Sequence, residues 1–393
     1  MMQMNWHRFA VGLLLVAAVV LAPQLLWAQS SITTGSLYGT VTDPDGGALP
    51  GATVQATNPE TGFSRTAVTD ASGFYRINLL PPGSYELRSD LTGFRSEVAR
   101  DIPVTLGSTV RVDVTLPLSA VEEEIVVTGE SPVVETSNPS VTAAVSAEAI
   151  ANLPLQGRDF TEFVLLTPGT GFSQVGLVEE GRAGINIGAR GIQNSFNIDG
   201  ANSQSSFFGE ERGGTRPPFT FSQAAIKEMQ VLRSPYNLQF SAGGGVINAI
   251  TKSGTNDFHG EVFGYYSDDG MRADDANGEA GTDFERTQYG FAIGGPIVRD
   301  SLHFFGSFDA QDFTTPYYAE SWDELNPDEI AQFNQITGLD YNNEIGQINM
   351  TNDSTVFLIK LDWQASNKHL LSTRFNYHDT EGLNGLYSNP YPN

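Results

Sequence analysis

The residues that could do catalytic chemistry are few and scattered. Five histidines stand at positions 7, 259, 303, 369 and 378 and make no set with metal-ligand spacing. There is no cysteine, which removes thiolate metal sites and a disulfide framework. No Ser-His-Asp arrangement stands out. Gly243-Gly244-Gly245 invites a phosphate-cradle reading, but a P-loop needs Lys and Ser or Thr directly after its last glycine, and Val246 and Ile247 stand there. The triplet reads instead as close backbone approach and a tight turn ahead of a strand, VINAITK. No catalytic residue, metal ligand or cofactor is expected, and the chain is not read as an enzyme.

Recognition chemistry is better represented. Glu122-Glu123-Glu124 precede the apolar β-branched run Ile125-Val126-Val127-Thr128, which Gly129 and Pro132 then break. A short isolated strand of this kind suits pairing with the sheet edge of another chain, main-chain hydrogen bonds supplying affinity and alternate side chains register. The other readings are a last strand of the preceding domain or a plain linker. The formal charge of −25 over 393 residues argues against nucleic acid, whose phosphates need Lys and Arg.

The elements around these residues fall into blocks. Residues 1–28 read as a cleaved secretory signal: Arg8, an apolar run from Phe9 to Leu21, Pro23, and a cleavage site after Ala28. That run is short for a membrane-spanning helix, which needs about 20 apolar residues. No later apolar run is long enough either, so any membrane role falls to strands.

Residues 31–118 contain LYGTVTD, ATVQATN, SRTAVTD, GFYRINL, GSYELRSD and VRVDVTL, separated by turns such as Asp43-Pro44-Asp45-Gly46-Gly47. Regular short strands argue for a β-sandwich. A linker follows over 119–131, then a mixed region over 132–254. In that region SAEAIANL is expected to start a helix with Ser146 as N-cap and Ala149, Ile150 and Leu153 on one face. The stretch from Ile226 reads as a helix start, a strand, a Pro turn, the glycines and a second strand.

Over 255–393 five strands are expected, roughly Phe258–Ser267, Thr287–Gly294, Leu302–Asp309, Thr355–Trp363 and Leu370–His378. Tyr289, Phe291 and Ile293 alternate with Gln288, Gly290 and Ala292, as lipid-facing and lumen-facing residues of a membrane barrel should. The connections alternate long and short, as extracellular loops and periplasmic turns do.

Several phrases resemble known families. GTVTDPDGGALPGATV and VTDASGFYRINLLPPGSYELR are similar to the carboxypeptidase-regulatory-like domain, a transthyretin-like sandwich. The segment holds no histidine, so the name implies no zinc peptidase here. NLPLQGRDFTEFVLLTPG, ARGIQNSFNIDGA and IKEMQVLRSP before GGGVINAITKSG resemble the plug of TonB-dependent outer-membrane receptors, of the Oar-like group that carries such a sandwich.

The resemblance implies a mainly β chain: an N-terminal transthyretin-like β-sandwich, an α+β plug, and the opening strands of a transmembrane β-barrel. It makes Glu124, Ile125, Val126, Val127 and Thr128 a TonB-box-like contact segment. It makes Arg190, Gly191, Ile198, Asp199, Gly200, Arg233, Gly243, Gly244, Gly245 and Lys252 plug-motif positions. Arg190, Arg233 and Lys252 are then candidates to pair with barrel-wall carboxylates, with a net free energy small enough to permit release.

The implied setting is the outer membrane of a Gram-negative bacterium, with the sandwich in the periplasm. The implied partners are TonB with its inner-membrane motor, outer-membrane lipid and an external ligand such as a siderophore, cobalamin, a glycan or a peptide. The implied activity is energised uptake; the alternative is a non-transporting surface protein in adhesion, secretion or signalling. Barrels that enclose a plug have about 22 strands, so the chain is expected to be the N-terminal part of a longer receptor.

Overall fold

The computed structural model describes residues 33–118, 126–128, 142–153, 158, 160–172, 185–187, 194–203, 221–233, 244–271, 284–318, 327–338, 347–366 and 369–383. The signal segment lies outside the described residues, as do Glu124, Ile125, Arg190, Gly191 and Gly243.

The first block is a two-sheet sandwich. Its strands are β1 (Gly35–Thr42), β2 (Thr53–Thr57), β3 (Ser64–Val68), β4 (Phe74–Leu80), β5 (Gly83–Asp90), β6 (Glu97–Val104), β7 (Thr109–Arg111), β8 (Val114–Thr115) and β9 (Val126–Thr128). One sheet runs β4-β1-β7 with β8 also on β1, and the other runs β3-β2-β5-β6-β9. Alternate residues of both inner faces, among them Leu37, Val54, Tyr75, Tyr85, Leu87 and Leu116, form one core. The two core tyrosines satisfy their hydroxyls on carbonyls: Tyr75 donates to Val112 O at 2.6 Å and Tyr85 to Pro81 O at 2.7 Å.

Two departures from the alternation reading have local causes. β6 escapes a period-two reading because its burial phase slips between Ala99 and Ile102. There Arg100 and Asp101 oppose the single residue Glu86, and Asp101 takes φ 57°, a β-bulge. VRVDVTL, expected as one strand, divides into β7 and β8, both parallel to β1. At the break the Asp113 carboxylate accepts the Thr40 N–H at 2.9 Å, replacing the lost ladder bond.

The second block is built on a mixed sheet ordered β10-β15-β16-β13-β14, with a separate hairpin β11-β12. The strands are β10 (Thr142–Val145), β11 (Thr170–Phe172), β12 (Ile185–Ile187), β13 (Ser195–Ile198), β14 (Ala201–Asn202), β15 (Ile226–Leu232) and β16 (Val246–Thr251). Helix α1 (Ala147–Asn152) is N-capped by Ser146, whose side chain accepts the Ala149 N–H at 3.2 Å. Ile150 is buried, but Leu153 is the C-cap and faces out. The expected helix start at Ile226 is a strand from its first residue; the helical turn is Gln223–Ala225, just before it. Lys, Glu and Met favour helix, but the long pairing of β15 with β16 overrides that preference.

The third block is an antiparallel meander of β17 (His259–Asp268), β18 (Glu285–Val298), β19 (Leu302–Tyr318), β20 (Gln347–Ser366) and β21 (His369–Leu383). It forms an open sheet packed against the plug. Tyr289, Phe291 and Ile293 face outward, while Ala292, Phe305 and Leu358 join the plug core around Phe160, Phe163 and Val231. β19, β20 and β21 run well past the expected bounds, chiefly on the side of the long connections, while β18 also extends to Val298 towards its short turn and β17 is close to the range expected. Gln347–Ser354 is mostly polar, with Ile348 and Met350 its only apolar residues, so no sustained alternation marks it; backbone ladders hold it, joined by the Asp353 carboxylate, which accepts the Phe313 N–H at 3.1 Å. The longest connection also contains helix α2 (Pro327–Thr337).

Candidate functional site

Several polar contacts between plug and wall converge on Asp199. Asp199 and Gly200 form a two-residue turn joining β13 to β14, with Ile198 opposite Ala201. Both turn residues have positive φ, 49° and 78°, which suits Asp-Gly and matches the twist of the flanking strands. The turn carries the carboxylate to the end of the plug sheet, against the wall. One oxygen accepts the Thr251 N–H at 2.8 Å; the other accepts the Thr251 hydroxyl at 2.7 Å and Arg374 Nη1 at 2.7 Å. Lys360 Nζ stands 3.7 Å from the carboxylate and donates to Thr251 O at 3.2 Å.

Arg374 and Lys360 come from β21 and β20, on the phase that faces the plug. The Arg374 guanidinium also lies 5.1 Å from the centre of the Phe221 ring. Burial alone would raise the Asp199 carboxyl, but Lys360, Arg374 and the Thr251 hydrogen bonds more than reverse this and hold it below the usual carboxylate range. A mostly buried plug anion is thus held by two wall cations.

A second contact lies deeper. Ser222 caps the turn before β15, accepting the Ala224 N–H, and its hydroxyl donates to Asp309 of β19 at 2.7 Å. Gln288 of β18 donates to the other Asp309 oxygen at 3.0 Å, and Asp309 is fully buried. A third contact is aromatic: the Arg158 guanidinium lies 4.4 Å from the Phe263 ring centre and 4.8 Å from that of Tyr265, and donates to the Tyr265 hydroxyl at 2.8 Å.

The sandwich meets the plug at a bulge. The β15 register slips between Ile226 and Glu228, so the consecutive residues Lys227 and Glu228 both reach the sandwich. Lys227 Nζ donates to Pro82 O at 2.6 Å, and Glu228 accepts the Leu106 N–H at 2.6 Å. Burial pushes the Glu228 carboxyl up, against the opposing pull of the Leu106 N–H and Lys227. Burial likewise pushes the Lys227 ammonium down. A cleft of about 210 Å³ opens where sandwich, plug and wall meet, bordered by Glu60, Pro82, Lys227, Thr251, Asp199 and Lys360.

The motif positions fall into place unequally. Ile198, Asp199 and Gly200 form the turn at the centre of the wall contact. Lys252 pairs with Glu261 of β17 at 3.0 Å on a half-exposed surface. Arg233 lies over Gly169 inside the plug. Gly244 and Gly245 are buried, the latter beneath Ile187. Val126, Val127 and Thr128 pair in parallel with Val98, Ala99 and Arg100 of the sandwich. The mostly buried ion pair has the opposite polarity to the one expected: a plug carboxylate with wall cations. Arg158, Lys227 and Glu228 lie inside the family phrases with nothing to single them out, Ser222 and Asp309 lie outside them, and the only sequence signal of Lys360 and Arg374 is their place in the alternation of β20 and β21.

Family models match two stretches: a carboxypeptidase regulatory-like domain over residues 36–117 and an outer membrane beta barrel domain over residues 250–328. The TonB-dependent transporter Oar of Myxococcus xanthus is 30% identical over 332 residues, 79% of this chain and 30% of the relative. The chain is similar to the TonB-dependent outer-membrane receptors over most of its length. A probable TonB-dependent siderophore receptor, PirA of Acinetobacter baumannii, is 32% identical over 200 residues, 48% of this chain and 25% of the relative. The crystal structure of the siderophore receptor PirA from Acinetobacter baumannii aligns with a TM-score of 0.43 at 18% identity, over 62% of this chain and 32% of that one.

The chain therefore spans under a third of the length of the curated relatives it matches. Its place is the outer membrane, and those relatives are transporters and receptors rather than enzymes.

Proposed function

We propose that the receptor takes up an external ligand across the outer membrane with energy relayed by TonB from the inner membrane. The observation that supports this best is the way the plug is held. Its attachment to the wall rests on the Asp199, Arg374 and Lys360 cluster and a few hydrogen bonds beside a shared apolar core. Buried ion pairs contribute little net stability yet specify geometry. Such a plug is seated in one orientation and yields to force.

In this reading the ligand binds at the outer face, and segment 124–128 is offered to TonB on the periplasmic side, where the sandwich lies. Pulling through residues 129–141 reaches β10, at the edge of the plug sheet. Because a relative is a probable siderophore receptor, ferric siderophores are the first ligand class to test.

Deleting Glu124–Thr128 from the full-length receptor should abolish uptake of a labelled ferric siderophore that the cells bind, while leaving that binding intact. Uptake that survives the deletion defeats the TonB-contact assignment. Unchanged uptake together with altered adhesion or export would support a surface protein that does not transport.

A further inference from the structure

The sandwich sheet ends on β9, and the edge that holds it has an unusual limit. Val98, Ala99 and Arg100 of β6 pair in parallel with Val126, Val127 and Thr128. Directly after Arg100 the edge stops being usable. Asp101 takes φ 57° at the bulge, which turns the strand, and Pro103 has no N–H to offer. Bulges and prolines blunt sheet edges against indiscriminate pairing. The straight edge of β6 before the bulge therefore accepts a strand about three residues long, the length of β9. The sheet order β3-β2-β5-β6-β9 leaves the outer edge of β9 last, and among the described residues no strand pairs with it.

We propose that the sandwich is the template on which the TonB-contact strand is displayed. β6 holds one edge of Val126–Thr128, and the extended strand of the partner adds to the other edge as a sixth strand of the same sheet. This rests on the reading of residues 124–128 as the TonB-contact segment. The backbone of β9 is already extended and its register already set by Arg100 opposite Thr128. A partner strand then meets a preorganised edge and does not have to order a free peptide. The sandwich thereby has a function in the coupling step beyond spacing, and β9 need not leave it to be bound.

The absence of cysteine makes this testable in the full-length receptor. Arg100→Cys with Thr128→Cys puts two thiols on direct partners of strands about 4.8 Å apart, inside the Cα range of about 4.4–6.8 Å that a disulfide spans. The substitution removes a half-exposed ion pair between Arg100 and Glu86, a small loss at such a surface. The probe is the periplasmic domain of TonB, titrated against oxidised and reduced receptor, the reduced form reporting on folding. The oxidised receptor should bind it within about threefold of the reduced one, because the template remains. A loss of about tenfold or more on oxidation, restored by reductant, overturns the template and shows that β9 must leave the sandwich, with the contact assignment still standing. Thiols that stay unjoined under oxidant also overturn it, since β9 is then not on β6. Binding that survives deletion of Glu124–Thr128 removes the contact assignment itself.

Discussion

Arg374 of the barrel wall donates to Asp199 of the plug at 2.7 Å across 175 positions of sequence, and Lys360 stands on the other side of the same carboxylate. This one side chain joins three parts: the β13-β14 turn that presents it, Thr251 at the end of β16, and two neighbouring wall strands. The arrangement is asymmetric, with two cations on one anion. Removing the anion harms it more than removing either cation.

Asp199→Asn in the full chain should therefore leave Lys360 and Arg374 without a counter-charge and cost about 3 kcal/mol, in the range for breaking a buried pair. Lys360→Met should cost less, since Arg374 keeps the closer contact. Amide hydrogen exchange of β13 and β16 reports the loss: both should exchange faster in Asp199→Asn, with the sandwich amides unchanged. Equal protection in both proteins would remove the cluster from any role in seating the plug.

The same carboxylate sets an acid limit. Its folded value is depressed, so its contribution is complete above the unfolded-chain value of about 3.9 and is lost as pH falls through the lower folded value. Plug protection should stay level from about pH 8 to pH 5 and fall below about pH 4. In Asp199→Asn that acid-dependent part should be missing. A fall of the same size in both proteins would assign the transition to other carboxylates.

Ser222→Ala removes the hydroxyl that donates to the fully buried Asp309 and also the cap on the Gln223–Ala225 turn. Gln288 remains on the other oxygen. Leaving a buried acceptor one donor short costs about 1–3 kcal/mol. Urea titration of the plug signal should shift accordingly, and Ser222→Thr, which keeps the hydroxyl, should recover part of it.

Gly254 marks the passage from plug to wall and admits no side chain. A Cβ there would lie 2.2 Å from Phe304 O and 2.6 Å from Gly295 O, both backbone atoms of the wall. Gly254→Ala should push the β16–β17 connection away from β18 and β19 at a cost of about 1–3 kcal/mol, the usual penalty for overpacking. The amount of receptor assembled in the outer membrane, judged by heat-modifiable migration, should fall. Gly264→Ala, where a Cβ meets open space, is the control that should assemble normally.

The local chemistry of the chain decides its blocks. Alternation along Tyr289, Phe291 and Ile293 marks a wall strand and its lipid face, and Asp-Gly and Pro-Gly turns mark the sandwich, because side-chain direction in a strand follows neighbour by neighbour. The helix cap at Ser146 and the strand after the glycines are legible for the same reason. What the chain could not announce depends on register and on distant partners. The phase of β6 is reset by a bulge at Asp101, and the outer halves of the wall strands lack a sustained alternation and follow from pairing with neighbouring strands. Lys252 meets the wall carboxylate Glu261 with the polarity expected of it, whereas the Asp199 cluster, a plug anion on wall cations, is not legible for the same reason. Which charge meets which is decided where a two-residue turn on β13 brings Asp199 against the inward phase of β20 and β21, a coincidence of three strands that no short window of sequence contains.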